Sequence, residues 1–182
     1  IWIGYIQWLR ENGFDFRKEP ILRPLDNILH MDAILAWDAG GQPYEPEWPR
    51  ADVIIGNPPF LGDKKMRRQL GDDYVDDLRR LYHSKIPGGS DLVTYWFERS
   101  RNLVEQEKGK RVGLLATNSI RMGANRFVLD RITRSGGIFM AWEDRAWILD
   151  GAAVRVSMVG FDDGSEIRKE HNGLPVKFIN PD

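Results

Sequence analysis

The run Asp52-Val53-Ile54-Ile55-Gly56 constrains the fold of this chain more than any other segment. A valine and two isoleucines follow one another without polar alternation, which suits a strand buried on both faces of a parallel sheet. Such a strand needs parallel neighbours and helices to cover it. Further apolar runs at 112–116, 138–142 and 154–161 supply strand candidates, and helices are expected over 91–108 and 125–134. That alternation predicts an α/β layer with a mainly parallel sheet. The last two strands, joined through Asp150-Gly151, are compatible with an antiparallel pair.

The remaining segments are less regular. A helix is expected over 1–12, closed by Asn12-Gly13, and it has no capping residue ahead of Ile1, so the chain is expected to begin inside a helix. A loop with Pro20 and Pro24, a short strand candidate at 25–29 and a turn or loop over 31–37 follow. The stretch 40–49, with Gly40, Gly41, Pro43, Pro46 and Pro49, reads as an extended surface connection. The charged stretch 63–85 is expected to hold one helix, over 74–82, before Pro87-Gly88-Gly89 breaks the pattern. Ser90 or Asp91 is the expected cap of the next helix.

Composition narrows the function classes. The 182 residues are 42% hydrophobic and 29% charged, which fits one globular domain and excludes a disordered or low-complexity chain. With 26 basic and 27 acidic side chains the net charge is -1, so a polyanion partner would have to meet a local basic face. There is no cysteine, and His30, His83 and His171 are scattered, so neither a thiolate nucleophile nor a bound metal is expected. No apolar run approaches the roughly 20 residues that cross a bilayer, and no signal peptide opens the chain. A soluble cytoplasmic protein with no membrane partner is the expectation.

In an open parallel sheet, ligands bind beyond the carboxyl ends of the strands. Asn57-Pro58-Pro59-Phe60 stands there after the first strong strand, and Thr117-Asn118-Ser119 after the next. Pro58 and Pro59 fix φ and lack N–H groups, so this loop is stiff and offers carbonyl acceptors without competing donors. Asn57 adds a carboxamide oxygen and Phe60 a flat apolar face. Such a surface suits a planar heterocycle bearing an NH₂ group. Two acceptors on the amine favour a pyramidal nitrogen and stabilise the positive charge that grows as it takes a methyl group from a sulfonium donor. The same tetrapeptide can also form a plain turn, with Phe60 in the core.

Residues 52–62 resemble motif IV of the S-adenosylmethionine-dependent amino-methyltransferases, in particular the gamma-order N6-adenine DNA methyltransferases of large fused restriction–modification enzymes. Residues 27–35 resemble motif III, 91–100 motif V, 111–118 motif VI and 142–161 the region of motifs VII and VIII. Residues 1–14, with Trp2, Tyr5 and Trp8, resemble the helix that precedes motif III in those enzymes. The resemblance implies a Rossmann-like class I methyltransferase fold, with S-adenosylmethionine as methyl donor and double-stranded DNA as partner. It implies that Asn57 and Pro58 hold the target amine and that Phe60 stacks on a flipped base, with Pro59 and Trp147 in the base pocket. Asp32 would approach the donor's adenine amine, and Leu92 and Tyr95 would pack near that adenine. Asp32 is equally compatible with a helix cap, Leu92 and Tyr95 with helix packing, and Trp147 with the core.

Lys64, Lys65, Arg67 and Arg68, with Arg121 and Arg126, are the candidate phosphate contacts. Asp72, Asp73, Asp76 and Asp77 would offset much of the first group. One departure from the family pattern stands out: the glycine-rich motif I and the acidic residue for the donor ribose are missing. The expectation is therefore a partial catalytic domain over 1–182, spanning motifs III to VIII, without its N-terminal sheet strands or a target-recognition domain. The remainder of a parent polypeptide would be a partner, and the isolated chain would bind the donor weakly and be inactive. Methylation of another planar amine (RNA guanine, protein glutamine or cytosine N4) and a non-catalytic DNA- or protein-binding scaffold are the alternatives.

Overall fold

The structure, a computed structural model, describes residues 2–14, 28–149 and 152–181. Two compact units are distinguished, Ile1–Met31 and Asp32–Asp182. In the first, helix α1 (Trp2–Glu11) ends as the sequence implies: Asn12 donates its N–H to the Trp8 carbonyl, and Gly13 takes a positive φ of 76°. Phe14 then stacks on Trp8 at 5.7 Å between ring centroids. The expected loop with Pro20 and Pro24 lies outside the described residues, as does most of the 25–29 strand candidate; Ile28 and Leu29 form no regular element.

The second unit opens with two short strands, β1 (Ala36–Trp37) and β2 (Pro43–Tyr44), paired antiparallel. The strong strand is β3 (Ala51–Gly56), followed by α2 (Asp63–Leu70), α3 (Asp72–Leu81) and α4 (Val93–Glu105). Next come β4 (Gly109–Thr117), two 3-10 turns (Asn118–Arg121 and Gly123–Asn125) and α5 (Arg126–Ser135). The chain closes with β5 (Gly137–Leu149), β6 (Ala152–Asp162), β7 (Lys169–His171) and β8 (Leu174–Val176).

The six-stranded sheet runs β3-β4-β6-β5-β7-β8 and is mixed. β3 and β4 are parallel, whereas the hairpin of β5 and β6 inserts β6 antiparallel between β4 and β5. Two antiparallel steps make β5 run in the same direction as β3 and β4. Helices α4 and α5 pack against the sheet, and Phe97 of α4 stacks on Phe161 of β6 at 6.2 Å. This apolar layer, with Val112, Leu114, Val128 and Ile132, is the core that the strand and helix periodicity anticipated.

Three expectations need correction. β3 is not buried on both faces: Val53 is 54% and Ile55 82% exposed, because these alternate residues share a face that no element of the second unit covers. The 63–85 stretch folds as two helices rather than one, since Met66 in α2 as well as Val75 and Leu78 in α3 reach the core, and Gly71, at φ 88°, turns the chain between them. Neither Ser90 nor Asp91 caps α4 with its side chain; both are drawn into contacts with other loops.

Candidate functional site

Because β3 and β4 are parallel, their carboxyl ends open on the same side of the sheet, Gly56 lying opposite Leu114. Asn57 leaves the sheet there and is exposed, its carboxamide making no hydrogen bond to a described residue. Pro58 is buried, Pro59 exposed and Phe60 half-buried. The proline pair thus anchors the loop on one side and leaves the asparagine outside. Leu61 donates its N–H to the Pro59 carbonyl at 3.1 Å and accepts from Leu92 N–H at 2.9 Å, which fixes the downstream end of the loop.

Asp91 is the hub of this region, and its role was not anticipated from the sequence. One carboxylate oxygen accepts the N–H of Asp63, the first residue of α2, at 3.0 Å. The other accepts from Ser119 Oγ and Asn125 Nδ2, each at 2.8 Å. Asn125 in turn accepts the Asp91 N–H at 2.7 Å. Ser119 and Asn125 lie in the turns after β4, so one side chain ties the loop after β3 to the loop after β4. An Asp at a helix start reads locally as a cap, and nothing in the sequence brings Asn125, 34 positions away, to it.

Asp32 is exposed and shapes a turn instead of capping a helix. One oxygen accepts the N–H groups of Ile34 and Leu35 at 2.9 and 3.0 Å, and the other accepts from Tyr74 Oη at 2.8 Å. Burial, and then this carboxylate, push the Tyr74 hydroxyl pKa up. Aromatic side chains pin the same segment: Trp48 Nε1 donates to the Ala33 carbonyl at 2.7 Å and Tyr82 Oη to the Ile34 carbonyl at 3.1 Å. Leu92 and Tyr95, at 3% and 2% exposed, sit in the core. Tyr95 meets Tyr82 edge-on at 5.1 Å, and burial pushes its hydroxyl up to about 12. Neither side chain is presented to solvent among the described residues.

Trp147 is half-buried on β5, opposite Val154. β4 ends at Thr117, opposite Val156, which itself faces Arg145 on β5. The hairpin therefore extends past the end of β4, carrying Trp147 beyond the same sheet edge from which Asn57 emerges. Asn118 links that overhang to β4: its Nδ2 donates to Asp144 at 2.7 Å, and its Oδ1 accepts from Ser157 Oγ at 2.8 Å. Asp144 occupies a left-handed position at φ 55° in the bulge between Trp142 and Arg145. Hydrogen bonds from Arg155, then Asn118, lower its carboxyl pKa to about 2.

The basic candidates divide. Lys64, Lys65 and Arg68 project from α2 into solvent without an ion pair to a described residue. Arg67 is held by Asp72 at 2.9 Å and Asp76 at 2.5 Å, as the acidic run on α3 implied. Arg121 is paired with Glu143, and Arg126 lies 3.6 Å from Asp130 on its own helix. The structure thus ties the Asn57 loop, α2 and the turns after β4 together through Asp91, and keeps Leu92 and Tyr95 in the core.

Comparison with known proteins places the chain in a family. The family described as the MmeI DNA-methyltransferase domain matches residues 17–172. A solved structure of the Type IIL restriction-modification enzyme MmeI in complex with DNA is 25% identical, with a TM-score of 0.56, over 71% of this chain and 19% of that one. This chain thus spans about a fifth of that relative. A structure from a type I R-M system, 14% identical with a TM-score of 0.41 over 63% of this chain and 22% of that one, is too distant to bear on it. Among curated proteins none matches this chain.

Proposed function

The chain belongs to the MmeI DNA-methyltransferase domain family, and from that premise we propose that it forms the target-amine half of a site that methylates the N6 amine of adenine in DNA. The observation that carries this reading is the exposed, unbonded Asn57 carboxamide on a proline-stiffened loop at the carboxyl edge of a parallel strand pair. The MmeI relative, solved in complex with DNA, supports DNA as the partner, and we take the duplex as its form. A cytoplasmic location accompanies that reading.

The described residues fit one end of S-adenosylmethionine. A carboxylate offers about four acceptor positions, and described donors take three at Asp32, leaving room for an adenine amine. Leu92 and Tyr95 would form the apolar backing. The donor, when bound, supplies a methyl carbon on a positively charged sulfur. Asn57 Oδ1 and the Pro58 carbonyl accept the two amine hydrogens of the target base and hold its nitrogen pyramidal. They stabilise the charge that develops there and keep the departing proton on an acceptor path to solvent. Phe60 and Trp147 would flank an extruded base, while Lys64, Lys65 and Arg68 meet phosphates beside it. On the same reading the open edge of β3 would pair with a further strand carrying the glycine-rich donor loop, and the exposed Val53 and Ile55 face would be covered by a helix packed on that sheet.

The test is to incubate the polypeptide that carries this chain with methyl-labelled donor and duplex DNA, then digest the DNA and identify the labelled nucleoside. N6-methyladenine is expected. Label on cytosine N4, or on RNA or protein but not DNA, would replace the adenine assignment.

A further inference from the structure

We propose that Asp91 is the positioning residue of the 57–60 loop: by capping α2 across 28 positions of sequence, it sets where Asn57 stands relative to the turns after β4. The kinetic part rests on the methyl-transfer reading; the structural part stands without it.

Four observations carry the proposal. First, α2 has no cap of its own. Gly62 precedes it and has no side chain, so the orphan N–H of Asp63 is satisfied by Asp91 at 3.0 Å. The negative charge also lies where the α2 dipole favours it. Second, the neighbouring peptide reinforces the link, Leu92 N–H donating to the Leu61 carbonyl at 2.9 Å. Residues on either side of Gly62 are therefore held by the same dipeptide.

Third, the loop has few means of holding itself. Pro58 and Pro59 contribute no N–H and have fixed φ, so the segment acts as a stiff arm. A shift at its anchored end at 61–63 is carried to Asn57 and not absorbed. Fourth, Asp91 is itself immobilised from the opposite side. Besides its bonds to Ser119 and Asn125, Asn125 Nδ2 reaches the Ser119 carbonyl at 3.2 Å, and Ser119 Oγ lies 2.6 Å from Thr117 Oγ1. Adjacent Ser90 Oγ contacts the carbonyls of Pro87 and Ala124 at 2.9 and 3.2 Å. The carboxylate is not spent on its own helix, since α4 starts at Val93 without a side-chain cap.

The proposal is tested in the polypeptide that carries this chain by comparing wild type with Asp91→Ala in hydrogen exchange and steady-state methylation. Exchange across 60–65 is expected to accelerate about ten- to a hundredfold, with protection of β4, β6 and α5 retained. The kcat for methyl transfer should fall by a similar factor while KM for the donor stays within about twofold. Asp91→Asn, which keeps the side-chain volume and the acceptor facing Asp63, should give the same local pattern at smaller size. It serves as the reading should Asp91→Ala fail to fold. Unchanged exchange over 60–65, or equal acceleration through the whole domain, would overturn the positioning role. A wild-type protein that transfers no methyl group while the exchange pattern holds would remove the reaction and leave the positioning role standing.

Discussion

Two buried or half-buried carboxylates, Glu98 and Asp91, gather several donors each, yet they do different work. Glu98, 1% exposed on α4, is gripped by two arginine forks: Arg101 from its own helix at 2.9 and 3.0 Å, and Arg131 from α5 at 3.0 Å through both nitrogens. Its charge is met by cations in a dry setting, and what it joins is helix to helix. Asp91 is half-buried, its donors are a backbone N–H, a hydroxyl and a carboxamide, and what it joins is loop to loop. The first arrangement resists separation of the packed layer. The second sets the relative height of segments that must stay partly open to solvent.

That contrast can be broken by mutation. Glu98→Ala takes the buried carboxylate from both arginines and leaves Arg101 with only Glu105 at 3.0 Å and Ser135 Oγ at 3.1 Å; it is expected to cost about 3 kcal/mol of folding stability, read from denaturant midpoints, with little change in the activity of molecules that remain folded. Asp91→Ala should be milder for global stability, about 1–3 kcal/mol, but should reduce turnover. If Glu98→Ala lowered kcat while stability held, the division of labour would be wrong.

Smaller effects belong to the surface. Replacing Lys64 and Lys65 by Gln should reduce the slope of log DNA affinity against log salt by about two; Arg67→Gln, whose guanidinium is engaged by Asp72 and Asp76, should change it less. An equal effect of all three would mean that the ion pairs on α2 and α3 open when DNA binds. The smallest expected effect concerns the overhanging hairpin. Asp144 has a lowered folded-state pKa of about 2, against an ordinary 3.8, so the stabilisation from its bonds to Arg155 and then Asn118 is fully present above the ordinary value and is lost as pH falls through about 2. Carboxyl chemical shifts followed from pH 5 downward should show that late titration; a midpoint near 3.8 would mean that the Asn118 and Arg155 contacts are not kept in solution.

The sequence made the β3 strand, the β4 strand, the β5–β6 hairpin and α4 legible, because long apolar runs and helical periodicity report burial directly. α2 was missed because Met66 is its single fully buried residue in a segment otherwise made of charged and polar side chains, Leu70 apart. β7 and β8 were missed because three-residue strands such as Lys169-Glu170-His171 carry too short a pattern. At the proposed site, Asn57, Pro58 and Phe60 stand out in the sequence because they are contiguous and follow a strong strand. Asp91, Ser119 and Asn125 could not, because their meaning lies in contacts made across 28 and 34 positions. β3 shows a different limit: its residues record the environment a strand is suited to, and Ile55 lies exposed where that environment is not supplied by the described residues.

If the Asn57 carboxamide, held outside a rigid loop, grips the target amine, its removal by Asn57→Ala should be felt in turnover before anything else. In a polypeptide that methylates adenine in duplex DNA, the substitution should lower kcat by about a hundred- to a thousandfold while leaving DNA affinity and folding stability near wild type. Methyl transfer at an undiminished rate by Asn57→Ala would contradict it.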